Sequence, residues 1–282
     1  MYTTLITAIE LEKLLPQKNV VIIDCRFALA DTESGHNDYL KAHIPEAQYA
    51  HLDDDLSGEI IKGQTGRHPF PTVDDFSKKL SNWGIDKMTQ VIAYDQSHGG
   101  IAARLWGLLK WLGHEKVAVL DGGWKHWQTL KLPTTAELPK IEPKHFIAEV
   151  RAEFLVDVGF METNLENPDI TYIDSRTAER YRGEKEPIDP IAGHIPGAIS
   201  APFLDNLGPD GLFLSKKDLS KRFLTILKGQ PKGQTIFYCG SGVTACHNLL
   251  AMEHIGLTSS KLYPGSWSEW IVSENRGVAK DV

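Results

Sequence analysis

Short runs of β-branched and aromatic residues alternate along the chain with longer segments whose apolar positions recur at helical spacing. "VVIID" (20 to 24), "QVIAY" (90 to 94), "ITYID" (170 to 174) and "TIFYC" (235 to 239) have strand length, and "GIAARLWGLLKWLG" (100 to 113) is a helical segment following the second of them. Apolar runs of this kind belong to strands covered on both faces, so their alternation with helices predicts a parallel sheet flanked by helices. Ligands of such sheets gather at the carboxyl ends of the strands, where loops meet helix N-termini. Cys239 stands at that edge.

The pattern is written twice. "VVIIDCR", "KAHIPEA", "QVIAYDQSHGGIAARL" and "LDGGWKHW" in the first half are answered in the same order by "ITYIDSR", "AGHIPGA", "QTIFYCGSGVTACHNL" and "LYPGSWSEW". His43 precedes His194 by 151 positions and Trp124 precedes Trp267 by 143, so the unit duplicated has domain size and is not a short solenoid repeat. Between the copies "KLPTTAELPKIEPKHF" (131 to 146), with three prolines, reads as a surface linker. The expected organisation is two tandem α/β domains, 1 to 135 and 149 to 282, joined by a linker at 136 to 148. Asp95 occupies the place of Cys239 in the first copy, which marks that copy as inactive and the second as catalytic.

Composition narrows the partners. The net charge of -7, without a long Lys/Arg run, gives no footprint for nucleic acid or anionic lipid, and small-molecule partners are expected. The opening "MYTTLITAIELEKLL" carries charges early and lacks the pattern of a secretory signal, and no apolar run approaches the roughly 18 residues of a membrane helix. A cytoplasmic protein is expected. Cys25, Cys239 and Cys246 are odd in number and widely spaced, unlike a disulfide framework or a zinc site.

Cys239 is followed by Gly240 and Gly242 and then by a helical segment. Glycines there let successive amides converge on one point, and with the helix N-terminus they would stabilise a thiolate. The bland alternative is a small buried hydrophobe, as free cysteines usually are. Cysteine phosphatases need an arginine beyond five intervening residues to bind a tetrahedral oxyanion; counting through Thr244 reaches Ala245, so that chemistry is not expected.

At this point the whole chain resembles the two-domain rhodanese-family sulfurtransferases, and "CGSGVTA" (239 to 245) resembles the active loop of their mercaptopyruvate-using members. The resemblance implies tandem rhodanese-like domains and a persulfide on Cys239 held by the amides of Gly240, Ser241, Gly242, Val243, Thr244 and Ala245, with no metal or organic cofactor. The sulfur would pass to cyanide, a thiol or a thioredoxin-like protein. Thiosulfate-using members carry basic residues at the positions of Gly240 and Ser241; both are uncharged here, which favours a carboxylate-bearing thiol as donor.

Three arginines follow the first strand of the second copy: Arg176, Arg180 and Arg182. The resemblance makes Arg180 the clamp for the donor's carboxylate. Relatives add a second arginine nine positions later, where this chain has Asp189; either Arg182 substitutes or the donor is thiosulfate or another sulfur compound. The resemblance also implies a proton relay of Ser241, His68 and Asp53, the last two from the first domain, although His68 reads equally as a turn residue and Asp53 as a helix cap. His43 and His194 recur in both copies and read as structural anchors. Cys246, seven positions after Cys239, is expected to face the core. The rival from another class is a non-catalytic module that presents its loop to a protein partner.

Overall fold

The computed structural model describes residues 1–227 and 234–281. Its residues fall into two compact units, one formed by Met1–Gly58, Phe70–Arg151 and Pro209–Phe213, the other by Glu59–Pro69, Ala152–Gly208 and Leu214–Val282.

The first unit is built on β1 (Leu5–Ile6), β2 (Val20–Asp24), β3 (Ala47–Tyr49), β4 (Gln90–Tyr94) and β5 (Val117–Leu120), all parallel in the order β1-β5-β4-β2-β3. Its helices are α1 (Ala8–Glu12), α2 (Ser34–Lys41), α3 (Val73–Asn82), α4 (Gly100–Trp111) and α5 (Gly123–Thr129). The second unit has α6 (Val158–Asn164), β6 (Thr171–Asp174), α7 (Ala178–Arg182), β7 (Ile199–Ser200), α8 (Lys216–Ile226), β8 (Thr235–Tyr238), α9 (Ala245–His254), β9 (Lys261–Leu262) and α10 (Ser266–Trp270). Its strands are also parallel, in the order β7-β6-β8-β9. The apolar runs behave as expected of parallel strands: Val91 to Tyr94 in β4 and Ile236 to Tyr238 in β8 are fully buried.

Both units repeat one buried clasp. Arg26 grips Asp24 with two nitrogens, donates to the Ala42 carbonyl at 2.7 Å and lies 4.7 Å from the Trp124 ring centroid. Arg176 grips Asp174, donates to the Gly193 carbonyl at 2.6 Å and lies 4.8 Å from Trp267. The histidines of the two "HIP" segments pack alike: His43 bonds the Tyr39 carbonyl at 2.7 Å and His194 that of Tyr181 at 2.8 Å, each stacked on that tyrosine. These are structural anchors, and so are the two tryptophans.

The division of the chain differs from a cut at the proline-rich linker in three respects, the smallest being that Pro209–Phe213 of the second half group with the first unit. Residues 136 to 151 group with the first unit, because their extended backbone is paired there: Lys144 N donates to Ser81 O, Glu149 N to Leu112 O and Arg151 N to Trp111 O. Residues 59 to 69, from the first half of the chain, group with the second unit.

His114 gives the first unit an acid sensitivity. Its Nε2 bonds the Thr89 carbonyl at 3.0 Å and its ring meets Phe146. Burial, opposed by the backbone hydrogen bonds, holds its pKa below the ordinary 6.5. The unfolded chain therefore binds this proton first as pH falls, so stability is complete above the ordinary histidine value and declines below it. The urea midpoint of the first unit should drop between about pH 7 and pH 5, and His114→Gln should flatten that slope. An equal slope in the variant would assign the effect elsewhere.

Candidate active site

β8 delivers Cys239 to the carboxyl edge of the second sheet, and a turn after β9 fixes it there. The Cys239 amide donates to Ser266 Oγ at 3.1 Å, its carbonyl accepts from the Trp267 amide at 3.0 Å, and the Gly240 carbonyl accepts from the Ser268 amide at 2.9 Å. Ser266 Oγ in turn donates to the Tyr263 carbonyl at 2.9 Å. Gly242 sits at φ 73°, and a Cβ there would run into the Pro264 carbonyl oxygen, so no other residue lets the loop lie this close to the turn. Behind the loop, Asn248 of α9 donates to Ser175 Oγ and the Ala201 carbonyl, both at 2.9 Å, and accepts from Asn206 at 2.7 Å. Those bonds pin the helix whose first turn follows the loop. Cys239 is 2% exposed.

The equivalent loop of the first unit demonstrates what such a set of amides does. There the Asp95 carboxylate accepts from the amides of Ser97, Gly99, Ile101 and Ala102 at 2.9 to 3.3 Å. By the alignment of Asp95 with Cys239, these amides correspond to those of Ser241, Val243, Ala245 and Cys246. In the first unit the loop is an anion nest filled by a carboxylate, and the second unit has a cysteine at the matching position.

Around Gly240 the second unit collects charge. Arg180 Nε bonds both oxygens of Glu186 at 3.0 and 3.1 Å, and its Nη2 reaches Asp189 Oδ2 at 3.0 Å. Arg67 Nη1 is paired with Asp189 Oδ1. A Cβ at position 240 would lie 2.9 Å from Arg67 Nη2 and 3.4 Å from Arg180 Nη2, so both guanidinium groups border the loop directly beside the cysteine. Burial pushes the Glu186 carboxyl up, but Arg180 and the amides of Asp189 and Ile188 more than reverse this and leave it below the usual range. Asp189 goes the other way: burial, with Glu186 nearby, raises it despite Arg67 and Arg180.

Beside the loop, Ser241 Oγ and His68 Nδ1 are hydrogen-bonded at 2.7 Å, and both residues are buried. His68 was expected from the first domain; it belongs instead to the segment 59 to 69 that folds with the second unit. Asp53 lies in the first unit, in the turn at 52 to 55.

Two expected arginines lie elsewhere. Arg176 is committed to its clasp with Asp174, Gly193 and Glu186 and is 2% exposed, so its guanidinium has no room for a substrate. Arg182, at the end of α7, points to an exposed pair with Glu184 and not to the loop. Arg67 and Glu186 are the charged neighbours that reading the sequence missed. Cys246 is fully buried and directs its thiol to the Gly242 carbonyl at 3.5 Å. Cys25 is buried, and burial, aided by Asp24, pushes its thiol far up, which makes it inert. Among the described residues, no group of three or more His, Cys, Asp or Glu side chains is placed to hold a metal ion.

The rhodanese-like domain family matches residues 7–130 and again 158–273. A Pseudomonas aeruginosa protein named "Probable 3-mercaptopyruvate sulfurtransferase" is 45% identical over 276 residues, covering 98% of this chain and 97% of its own. The human 3-mercaptopyruvate sulfurtransferase is 32% identical over 85% of this chain and 83% of its own. Among solved structures, SseA from Escherichia coli, described among the 3-mercaptopyruvate sulfotransferases, superposes with a TM-score of 0.81 at 29% identity, covering 95% of this chain and all of that one. Both halves of the chain, the parallel sheets and the cysteine loop place it, as the comparisons do, in the rhodanese family, as a two-domain sulfurtransferase.

Proposed function

We propose that the chain transfers sulfur from 3-mercaptopyruvate to a thiophilic acceptor through a persulfide on Cys239. The reading rests on one arrangement: a cysteine at the position that holds an anion in the first unit's loop, bordered by two guanidinium groups and by a serine and histidine in hydrogen-bond contact. The Cys239 thiolate attacks the donor's sulfur and forms the S–S bond. The C–S bond breaks, its electron pair passes to the enolate of pyruvate, and the proton of the donor thiol is carried to that enolate by Ser241 and His68. The amides of Gly240 through Ala245 hold the persulfide's charge, and Arg180 binds the donor's carboxylate. Asp53, in the other unit, has its expected role of orienting His68 through the resemblance alone.

In the second half reaction cyanide, a small thiol or a thioredoxin-like dithiol attacks the outer sulfur and Cys239 leaves as thiolate. The protein carries the sulfur on its own side chain and needs no metal or organic cofactor in this scheme. Among the described residues no helix is long and apolar enough to cross a membrane. Three buried free thiols suit a reducing compartment, and we place the chain in the cytoplasm.

Steady-state transfer to cyanide, with kcat/KM for 3-mercaptopyruvate and thiosulfate measured under the same conditions, tests the reading. A preference for mercaptopyruvate is expected, because the loop positions 240 and 241 carry no cationic side chain. A preference for thiosulfate would overturn the donor assignment.

A further inference from the structure

The Arg67 guanidinium lies close beside position 240: its Nη2 is 2.9 Å from where a Cβ there would stand. Arg67 is itself held from three directions. Its amide donates to Ser268 Oγ at 3.1 Å, which ties it to the turn that fixes Cys239; its Nη1 is paired with Asp189; and the next residue, His68, is bonded to Ser241. Its Nε is buried and has no partner among the described residues, so part of its donor set is unsatisfied as the protein stands.

The charges close to a simple sum. Arg67 and Arg180 face Glu186 and Asp189, and Arg176 is cancelled by Asp174. The cluster beside the sulfur loop is therefore neutral in total, although it presents two guanidinium groups. Such a site can hold one carboxylate by geometry, but it offers no excess positive charge for a dianion.

We propose that Arg67 is a second donor-binding residue beside Arg180, and that Asp189, together with Glu186, selects monoanionic donors by neutralising the pair Arg67 and Arg180. This rests on the sulfur-transfer reading above. It assigns Asp189 a function as counterion: it orients both guanidinium groups and at the same time removes the charge on which thiosulfate binding depends.

The test uses Asp189→Asn and Arg67→Gln in the full chain, with both donors and cyanide as acceptor. Asn keeps the size and one acceptor oxygen of Asp189 while removing its charge. Asp189→Asn should raise the ratio of kcat/KM for thiosulfate to that for mercaptopyruvate about tenfold. Arg67→Gln should raise the KM for mercaptopyruvate about tenfold and leave kcat within about threefold, since the nucleophile and its nest are untouched. A fall of both donors together in Asp189→Asn, with kcat lost in proportion, would reduce the pair to a structural role and overturn the proposal. So would an unchanged donor ratio in both variants. Absence of sulfur transfer in the unmodified protein with either donor would instead refute the underlying reading, so the two failures are distinguishable.

Discussion

Cys239→Ser should abolish sulfur transfer, lowering kcat by at least about 10⁴-fold with either donor. A serine hydroxyl in the same nest is not ionised at neutral pH and cannot accept sulfur as a persulfide, so the loss follows from chemistry and not from folding. The substitution is nearly isosteric, and the backbone bonds that hold position 239, to Ser266 and Trp267, do not involve the sulfur. Cys246→Ser and Cys25→Ser provide the contrast. Cys246 donates its thiol to a backbone carbonyl, and Cys25 is buried with its thiol held neutral. Either variant should keep transfer within about threefold of the parent. Loss of activity in Cys246→Ser equal to that in Cys239→Ser would show that the sulfur passes through a second thiol. Full activity in Cys239→Ser would end the mechanism.

Arg180→Ala should have the next largest effect, and it should act on two quantities. Losing a charge-assisted, two-pronged contact with the donor's carboxylate should raise the KM for mercaptopyruvate about 30- to 100-fold. The same change strips Glu186 and Asp189 of a partner, and their side chains are only 3% exposed. Leaving a buried carboxylate partly unpaired costs on the order of 3 kcal/mol, softened here because Arg176 still reaches Glu186 at 3.3 Å and Arg67 still pairs with Asp189. Arg180→Lys separates the two effects: it keeps the charge, so stability should largely return, while the KM stays high because a lysine cannot match the bidentate geometry. Urea denaturation and steady-state kinetics on the two variants check this. An unchanged KM in Arg180→Ala would remove Arg180 from the donor site. Arg182→Ala, which breaks only an exposed pair, should change neither quantity measurably.

Much of the fold was legible because its signals are local. A parallel strand buried on both faces is a continuous apolar run, and "VIAY" and "TIFY" could be little else; the duplication followed from the order of the motifs. The cysteine loop was legible for the same reason, since a strand, two glycines and a helix lie within a dozen residues. Arg67 was not legible. Its place beside Gly240 depends on residues 59 to 69 folding with the second unit, and no local pattern carries that information. Segment 136 to 148 was misleading in a related way, because prolines suggest a free linker while the intervening amides pair with the first unit.

Arg176, offered with Arg180 and Arg182 as a donor-binding candidate, sits in a buried clasp with Asp174. "DCR" and "DSR" occupy matching places in the two copies, and a pair present in the copy without a nucleophile serves the fold. The reasoning that set aside His43 and His194 applied to Arg176 equally. Asp189 carries the opposite lesson. Read as a missing arginine it weakened the donor assignment, yet in the structure the carboxylate is the group that joins Arg67 and Arg180.

The most direct test of the account is the intact mass of the unmodified protein after incubation with 3-mercaptopyruvate and removal of excess donor. The account predicts a gain of one sulfur atom, located to the peptide containing Cys239 and lost again when cyanide or a thiol is added. No gain, or a sulfur found on Cys25 or Cys246, would contradict it.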